Sequence, residues 1–423
     1  MGFTILFVGI LYFTAHFFQI LFERTRIPDV LFLILLGLAI GPWAGWVSVD
    51  DFGKAGPVLT TMALVVLLFE GGTDLTPRDL GRGMHLSAPL SLTTFAMTGT
   101  AFTLAAHWWL DWPWMAAALQ GTILGGTSAA VVLPLLRGLH SQEPIRSSLV
   151  LESALTDVLS IVLTLGLLGA ATSGHLDPGH LVGRMISSLV IASVIGILAG
   201  IGWLVFLGTF PKFPNTRFSA LAIAFMLYGF NEWLGYSGGI AALAFGAALA
   251  SWGKPGRQVK LPGFLRRING RALASPDEEQ RVFWREMVFL LKTFFFLFLG
   301  LSLPVKTPQL LLPAALTTLA IYAIRPLLVW AFFRGKASVH EMATASILIP
   351  KGLAAAVLAG MVTLSGFPLG EPIRQFTFWA ILVSIVLTTI LTPLTRSKIF
   401  PVKEAGETGL RAGPKSTHRK RRT

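Results

Sequence analysis

Long runs of apolar residues follow one another along almost the whole chain, and only short polar segments separate them. Thirteen runs are long enough, or nearly so, to cross the roughly 30 Å hydrocarbon core of a bilayer as helices. The intervening segments are too short to form separate domains. The pattern therefore predicts an all-α polytopic membrane protein. The predicted spans are residues 3–21, 29–42, 56–72, 86–106, 114–136, 146–171, 182–207, 217–231, 237–252, 286–303, 309–332, 342–364 and 375–394.

The composition supports the membrane prediction. The chain has 423 residues, of which 53% are hydrophobic and 13% are charged, whereas about a quarter of the residues in a soluble domain are charged. This excludes a water-soluble enzyme and a disordered chain. The absence of cysteine excludes a disulfide framework, a thiolate nucleophile and a metal site built on cysteine. We expect no cofactor.

The basic residues lie mostly on one side of the predicted membrane. If the N-terminus is outside, 27 of the 34 Lys and Arg residues fall on the inside, whereas Lys54, Arg184, Lys306 and Arg374 fall outside. Loops rich in Lys and Arg stay in the cytoplasm. We therefore predict a multi-pass protein of the cell (inner) membrane with its C-terminus inside. Residues 397–423 form a basic tail suited to anionic lipid headgroups, and nucleic acid is not an expected partner.

Six spans, a linking span and six further spans suggest an internal duplication. The predicted repeats cover residues 1–172 and 217–396, and residues 182–207 link them. With this spacing the second repeat is inverted in the membrane. Both repeats have an interrupted fifth span. Paired interruptions are the sequence feature that best locates a transport site. The interrupting residues are Gly125, Gly126, Thr127 and Ser128 in one repeat, and Pro350, Lys351 and Gly352 in the other.

Two carboxylates at membrane depth, Glu152 and Asp157, lie in the sixth span. At 100° per residue they point about 140° apart, so we do not expect them to share one ion. Ser153 is on the same helix face as Asp157, and a hydroxyl next to a carboxylate suits a small cation. Thr127 and Ser128 could add hydroxyl or freed carbonyl oxygens. These four residues form the predicted cation site.

A buried cation is expected to compensate Glu152. Lys351 is the first expectation, Arg325 is the rival, and the set is interpreted as a structural ion pair. Lys292 is expected to extend to the inside surface instead. The remaining carboxylate, Asp157, can bind either a proton or a metal cation. Competition for one site predicts exchange of one monovalent cation for one proton.

These motifs give the chain a resemblance to the monovalent cation:proton antiporters, the sodium/proton exchanger superfamily. The resemblance covers nearly the whole sequence. It depends on Arg26-Ile27-Pro28-Asp29, Phe69-Glu70-Gly71-Gly72, residues 125–128, Glu152-Ser153 with Asp157, Arg325-Pro326, and Pro350-Lys351-Gly352.

The resemblance implies a homodimer in which a mobile core domain with two crossed broken helices moves like an elevator against a scaffold. It also implies that Asp157 alternately binds a proton and a cation, with support from Glu152 and Ser153. Three departures concern stoichiometry, the ligand set and pairing. Thr156 precedes Asp157 where relatives have Asn or Asp, Ser128 follows Thr127 where many exchangers have Asp, and Lys351 replaces a frequent arginine.

Two other classes of transport protein fit an inverted-repeat frame, namely a sodium-coupled solute symporter and a cation channel. The one indication of an enzyme is Gly235-Tyr236-Ser237-Gly238, which matches the GxSG of intramembrane serine proteases. A protease also needs a histidine in a later span. His340 and His418 are predicted on the opposite side of the membrane from Ser237. We therefore expect a transporter and no enzymatic activity.

Overall fold

The computed structural model describes residues 2–25, 27–53, 55–74, 77–128, 131–132, 135–136, 143–173, 178–210, 216–252, 278–305 and 308–396. Within these ranges there are 14 α-helices and no strand, which confirms the all-helical class. The helices are α1 (Gly2–Thr25), α2 (Asp29–Leu38), α3 (Ala55–Asp74), α4 (Pro77–Leu110), α5 (Trp114–Gly125), α6 (Glu143–Ser173), α7 (Pro178–Thr209), α8 (Thr216–Trp233), α9 (Gly238–Trp252), α10 (Glu278–Leu301), α11 (Leu311–Phe333), α12 (Val339–Ile347), α13 (Leu353–Leu364) and α14 (Gly370–Arg396).

Each predicted span contains helix, but the spans 114–136 and 342–364 are interrupted and several helices are longer than their apolar runs. Helix α4 covers 34 residues instead of the predicted 86–106. Helix α10 begins at Glu278, so residues 278–285, which the apolar pattern places in a loop, are helical. The polar start of α10 is rich in Glu, Gln and Arg, which are good helix formers, so this helix begins before its apolar run. The tail 397–423 and residues 253–277 lie outside the described part of the chain.

The described helices differ in length and hydropathy, and so in whether each is long and apolar enough to cross a bilayer. Four segments are both long and apolar enough, and five further apolar helical segments are shorter. The number of crossings therefore stays a prediction. The four long segments are Leu151–Ala171, Ile186–Thr209, Pro308–Phe333 and Gly370–Pro393.

The helices pack as two groups. One group, which we call the site bundle, consists of α4, α5, α6 and α11 to α14, and each of these helices packs against others of the group. The other group, the flanking panel, consists of α1, α2, α3 and α7 to α10. The two groups meet mainly where α6 packs on α7 and where α13 packs on α3. The predicted site residues all lie in the site bundle.

Two glycine crossings bring backbones of the flanking panel into direct contact. A Cβ on Gly37 of α2 would overlap the Leu297 carbonyl oxygen of α10, and one on Gly300 would overlap the Ile34 carbonyl oxygen. Helices α3 and α9 cross in the same way at Gly72 and Gly246. Small residues allow such close approach in membranes. The crossings hold α2 on α10 and α3 on α9.

A buried ion pair also joins α2 to α10. Lys292 Nζ lies 2.7 Å from Asp29 Oδ2, and both side chains are buried. The expectation that Lys292 extends to the inside surface is therefore wrong. Asp29 stands at the start of α2, where its other oxygen accepts a hydrogen bond from the Val30 backbone N–H. A buried ammonium is held in this way because a charge without a partner is costly at this depth.

We expect Gly300→Ala to destabilise the protein, because the new methyl group would meet backbone that cannot move aside. Overpacking of this kind costs about 1–3 kcal/mol. The midpoint of thermal unfolding in detergent measures the effect. Gly229→Ala in α8 is the matched control, since a Cβ there meets no atom within 4 Å. An equal loss of stability in both variants would show that the crossing is not tightly packed.

Candidate functional site

The two predicted interruptions meet in the site bundle. Helix α5 ends at Gly125, and residues 126–128 are not helical. Helix α12 ends at Ile347, and α13 begins at Leu353. The Ser128 backbone N–H donates to the Pro350 carbonyl oxygen at 2.8 Å, which connects one interruption directly to the other. A Cβ on Gly352 would overlap the Ser128 side chain, so only glycine fits there.

Lys351 supports the interruption in α5. Its ammonium donates to the Gly126 carbonyl oxygen at 2.8 Å, and the side chain is buried. A cation at this position compensates the carbonyl groups that a helix leaves unpaired at its C-terminal end. The Lys351 backbone N–H donates to Ser384 Oγ at 2.9 Å. Ser384 on α14 therefore fixes the peptide that carries the lysine.

A side chain of helix α6 accepts a hydrogen bond from the next backbone N–H of the α5 interruption, that of Thr127. Thr156 Oγ1 accepts a hydrogen bond from the Thr127 N–H at 3.0 Å and donates to the Ser153 carbonyl oxygen at 3.2 Å. Ser153 donates its own hydroxyl to the Leu149 carbonyl oxygen at 3.1 Å. Non-helical backbone inside a membrane protein needs such partners, because no bulk water reaches it. Both backbone N–H groups that the interruption leaves without a helical partner, at residues 127 and 128, therefore have a hydrogen-bond acceptor.

Glu152 pairs with Arg325. Arg325 Nη2 lies 2.6 Å from Glu152 Oε2, and both side chains are buried. The second terminal nitrogen of the guanidinium group, Nη1, donates to Thr94 Oγ1. The pair therefore connects α4, α6 and α11. The partner of Glu152 is therefore Arg325, and the first expectation, Lys351, is wrong. The Lys351 ammonium instead donates to the Gly126 carbonyl oxygen.

Asp157 lies beside the interruption and is buried. A Cβ built on Gly126 would be 3.4 Å from Asp157 Oδ1, so this carboxylate faces the glycine across a short gap. Gly126 has φ −74° and ψ 162°, which any residue adopts. The glycine is therefore explained by the space that it leaves, and not by its backbone conformation.

The buried charges balance. Lys351 is within electrostatic range of Arg325, Glu152 and Asp157, and these four residues comprise two acids and two bases. Arg325 pairs with Glu152, and Asp157 is the second acid of this group. Buried ionisable groups at membrane depth are costly and commonly functional.

Sequence reasoning missed four side chains that complete the cluster. None of the four is charged, and hydroxyls inside membrane helices are common enough that they give no separate signal. One regularity was available: Thr156, Ser160 and Thr164 are four residues apart and share one face of α6. The missed residues are Thr94, Thr156, Ser160 and Ser384.

Two cavities lie between the site bundle and the flanking panel. One, of about 260 Å³, separates α3 and α10 from α13 and α14, and Arg374 lines it among mostly apolar residues. The other, of about 220 Å³, lies between α6 and the turn from α8 to α9, where Glu232 and Ser188 line it. The two groups of helices are thus incompletely packed against each other.

The GxSG sequence has a structural role. Ser237 directly precedes α9, and its Oγ accepts a hydrogen bond from the Ile240 N–H at 3.4 Å, as in an N-cap. The Ser237 N–H donates to Ser188 Oγ. Among the described residues no group of three or more His, Asp or Glu side chains is suited to a resident metal ion.

The fold and the site define a polytopic helical membrane protein in which two interrupted helices meet beside a buried carboxylate. The family model described as "Sodium/hydrogen exchanger, transmembrane" matches residues 10–397. The chain belongs to this family, which confirms the resemblance.

Several individual relatives are named as antiporters. The chain is 28% identical over 381 residues to a protein named K(+)/H(+) antiporter NhaP2 from Shewanella sp. strain MR-4, covering 86% of this chain and 61% of that one. It is 26% identical to K(+)/H(+) antiporter NhaP from Alkalimonas amylolytica, covering 95% and 68%. The chain thus spans about three fifths of the length of the NhaP2 relatives.

A solved structure has the same fold. The sodium proton antiporter MjNhaP1 from Methanocaldococcus jannaschii superimposes with a TM-score of 0.73 at 22% identity, and the match covers 92% of this chain and 98% of that one. At this identity the match supports the fold alone.

Proposed function

We propose that the protein exchanges a monovalent cation, Na⁺ or K⁺, for a proton across the membrane, and that Asp157 is the group that binds each in turn. The observation that carries this proposal is the position of Asp157, a buried carboxylate beside Gly126, where two interrupted helices meet. The family and its named members add support, since the family model describes sodium/hydrogen exchangers and the NhaP2 relatives are named K⁺/H⁺ antiporters.

Exchange at Asp157 is electroneutral in this proposal. A bound proton and a bound monovalent cation each neutralise one negative charge, so the site has the same net charge with either occupant. Glu152 does not add a second exchangeable charge, because Arg325 compensates it at 2.6 Å. One cation therefore moves one way for each proton that moves the other way.

Alternating access comes from movement of the site bundle against the flanking panel, as in an elevator. The cavities between the two groups and the interruptions connected by hydrogen bonds support this proposal. The inverted repeats that such a mechanism uses have structural support as well. The crossing of α2 on α10 has its counterpart in that of α9 on α3, seven spans apart, with paired glycines in both.

The remaining parts of the proposal concern the setting of the protein. The protein is a homodimer in the cell (inner) membrane, with its N-terminus outside and its C-terminus in the cytoplasm. The distribution of Lys and Arg supports this orientation. No resident cofactor is needed, because the cation and the proton are the substrates.

Proteoliposomes that contain a trapped pH-sensitive dye test the function. We expect proton efflux from an acidic lumen when Na⁺, K⁺ or Li⁺ is added outside, with no response to choline. The rate is expected to be the same with the membrane potential clamped at zero or left free, because no net charge moves. Cation movement without proton countermovement would contradict the proposal and favour a channel or a solute symporter.

A further inference from the structure

Three hydroxyls on α6 face α5, and they differ in how they are satisfied. Thr156 Oγ1 bonds to the Thr127 N–H, and Thr164 Oγ1 donates to Thr122 Oγ1 at 3.0 Å. Ser160, which lies between them on the same face, has no hydrogen-bond partner in the described part of the chain, although its hydroxyl is buried. Buried polar groups nearly always have a partner. Ser160 therefore requires an explanation.

A second unsatisfied hydroxyl belongs to Thr127, in the interruption of α5. Thr127 Oγ1 is buried, and no described residue forms a hydrogen bond with it. Its backbone N–H is already used by Thr156, so the peptide is fixed while the hydroxyl stays available. Hydroxyls in membrane helices ordinarily bond to a carbonyl one turn earlier, as Ser153 does. Two buried hydroxyls without that bond next to one helix interruption form an unusual pair.

Gly126 connects these hydroxyls to Asp157. A Cβ built on Gly126 would lie 2.6 Å from Ser160 Oγ and 3.4 Å from Asp157 Oδ1. The Thr156 carbonyl oxygen lies 3.1 Å from the same position. Gly126, whose backbone is extended and open to any residue, therefore packs closely against an oxygen-rich face of α6, and Thr127 is the next residue along the chain. Small hard cations prefer oxygen ligands of this kind.

We propose that Ser160 is a ligand of the transported cation, which binds beside Gly126 to Ser160 Oγ, Thr127 Oγ1 and an oxygen of Asp157. This inference rests on the proposed exchange function and adds a binding residue that the predicted set of Asp157, Ser153, Thr127 and Ser128 does not contain. A bound cation satisfies both hydroxyls at once. When Asp157 is protonated instead, its proton occupies the carboxylate and the cation leaves.

The proposal distinguishes Ser160 from Thr164, one turn further along the same face. Ser160→Ala removes a hydroxyl that has no partner in the empty site, so the stability of the cation-free protein should be unchanged or higher. Thr164→Val removes a hydroxyl that bonds to Thr122, so the cation-free protein should be less stable. A purely structural role of Ser160 would produce a loss in both variants.

The test measures cation affinity in two ways. In proteoliposomes, Ser160→Ala should raise the KM for the cation about tenfold, the effect of one hydrogen-bonding or ligand contact to a charged group, with little change in the maximal rate. Thr164→Val should keep the wild-type KM. In detergent, saturating cation should raise the unfolding midpoint of the wild-type protein and of Thr164→Val, and raise that of Ser160→Ala much less.

Gly126→Ala provides a second variant that needs no change at Ser160. Its methyl group would lie 2.6 Å from Ser160 Oγ and displace this hydroxyl, so both the exchange and the stabilisation by cation should be lost although the backbone conformation is allowed. A wild-type KM in Ser160→Ala, or a change confined to its maximal rate, would overturn the ligand assignment while the wild-type exchange stands. An absence of cation-dependent proton movement in the wild-type protein would instead contradict the proposed function.

Discussion

Replacing Asp157 by asparagine is expected to reduce cation-dependent proton movement to the level of protein-free liposomes. The amide has nearly the same shape as the carboxylate, but it neither takes up a proton in the physiological range nor supplies a negative charge to a cation. Both halves of the exchange are therefore lost together. The measurement is the proteoliposome assay, with Na⁺ and K⁺ tested separately.

Folding is expected to survive this substitution, because a neutral side chain is less costly to bury than an ion. The midpoint of thermal unfolding in detergent should equal or exceed that of the wild-type protein. Asp51→Asn is the matched control, since Asp51 is exposed in the segment between α2 and α3, where it accepts a hydrogen bond from the Ser48 N–H. Asp51→Asn should leave exchange unchanged. Wild-type exchange in Asp157→Asn would refute the site assignment.

Removal of Arg325 is expected to cause the largest loss of stability. Arg325→Met leaves the Glu152 carboxylate buried without its cation, and breaking a buried ion pair in this way costs about 3–5 kcal/mol. It also removes the donor to Thr94, so contacts between α4, α6 and α11 are lost at once. The expected result is a much lower unfolding midpoint and a low yield of folded protein.

The double variant Glu152→Gln with Arg325→Met separates the effect of an unpaired buried charge from the effect of lost side-chain packing. With both charges gone, no unpaired ion stays in the site bundle, and much of the lost stability should return. Glu152→Gln alone should also destabilise, because it leaves the guanidinium unpaired. Strict additivity of the two single substitutions would show that the pair at 2.6 Å contributes nothing as a pair.

The sequence was sufficient to predict the helices, because each apolar run is near the length that a membrane-crossing helix needs. It was less informative about where helices end. The start of α10 at Glu278 is polar, and nothing in a hydropathy pattern separates a polar helical turn from a loop. The two interruptions were predictable because two adjacent glycines precede two hydroxyl residues at 125–128, and proline, a charge and glycine coincide at 350–352.

The partners inside the site were harder to predict. Lys351 and Arg325 are both buried cations, and only the three-dimensional structure places one on a carbonyl group and the other on Glu152. The pair of Asp29 and Lys292 joins residues 263 positions apart, a separation over which a single sequence carries no pairing signal. Ser160 has no charge to draw attention to it. Its meaning depends on what its neighbours already bond to.

The hydrogen bonds that connect the two interruptions bear on the thermodynamics of the transport cycle. Ser128 to Pro350, Lys351 to Gly126 and Thr127 to Thr156 fix the site from three directions. We expect a site held in this way to travel without deforming, so that a cation meets the same oxygen atoms whichever compartment it comes from. The gradients of the proton and the cation alone set the direction of net flow in a coupled exchanger, and affinities affect only the rate. Equal affinity on both sides would therefore let the protein work at similar cation concentrations in either direction.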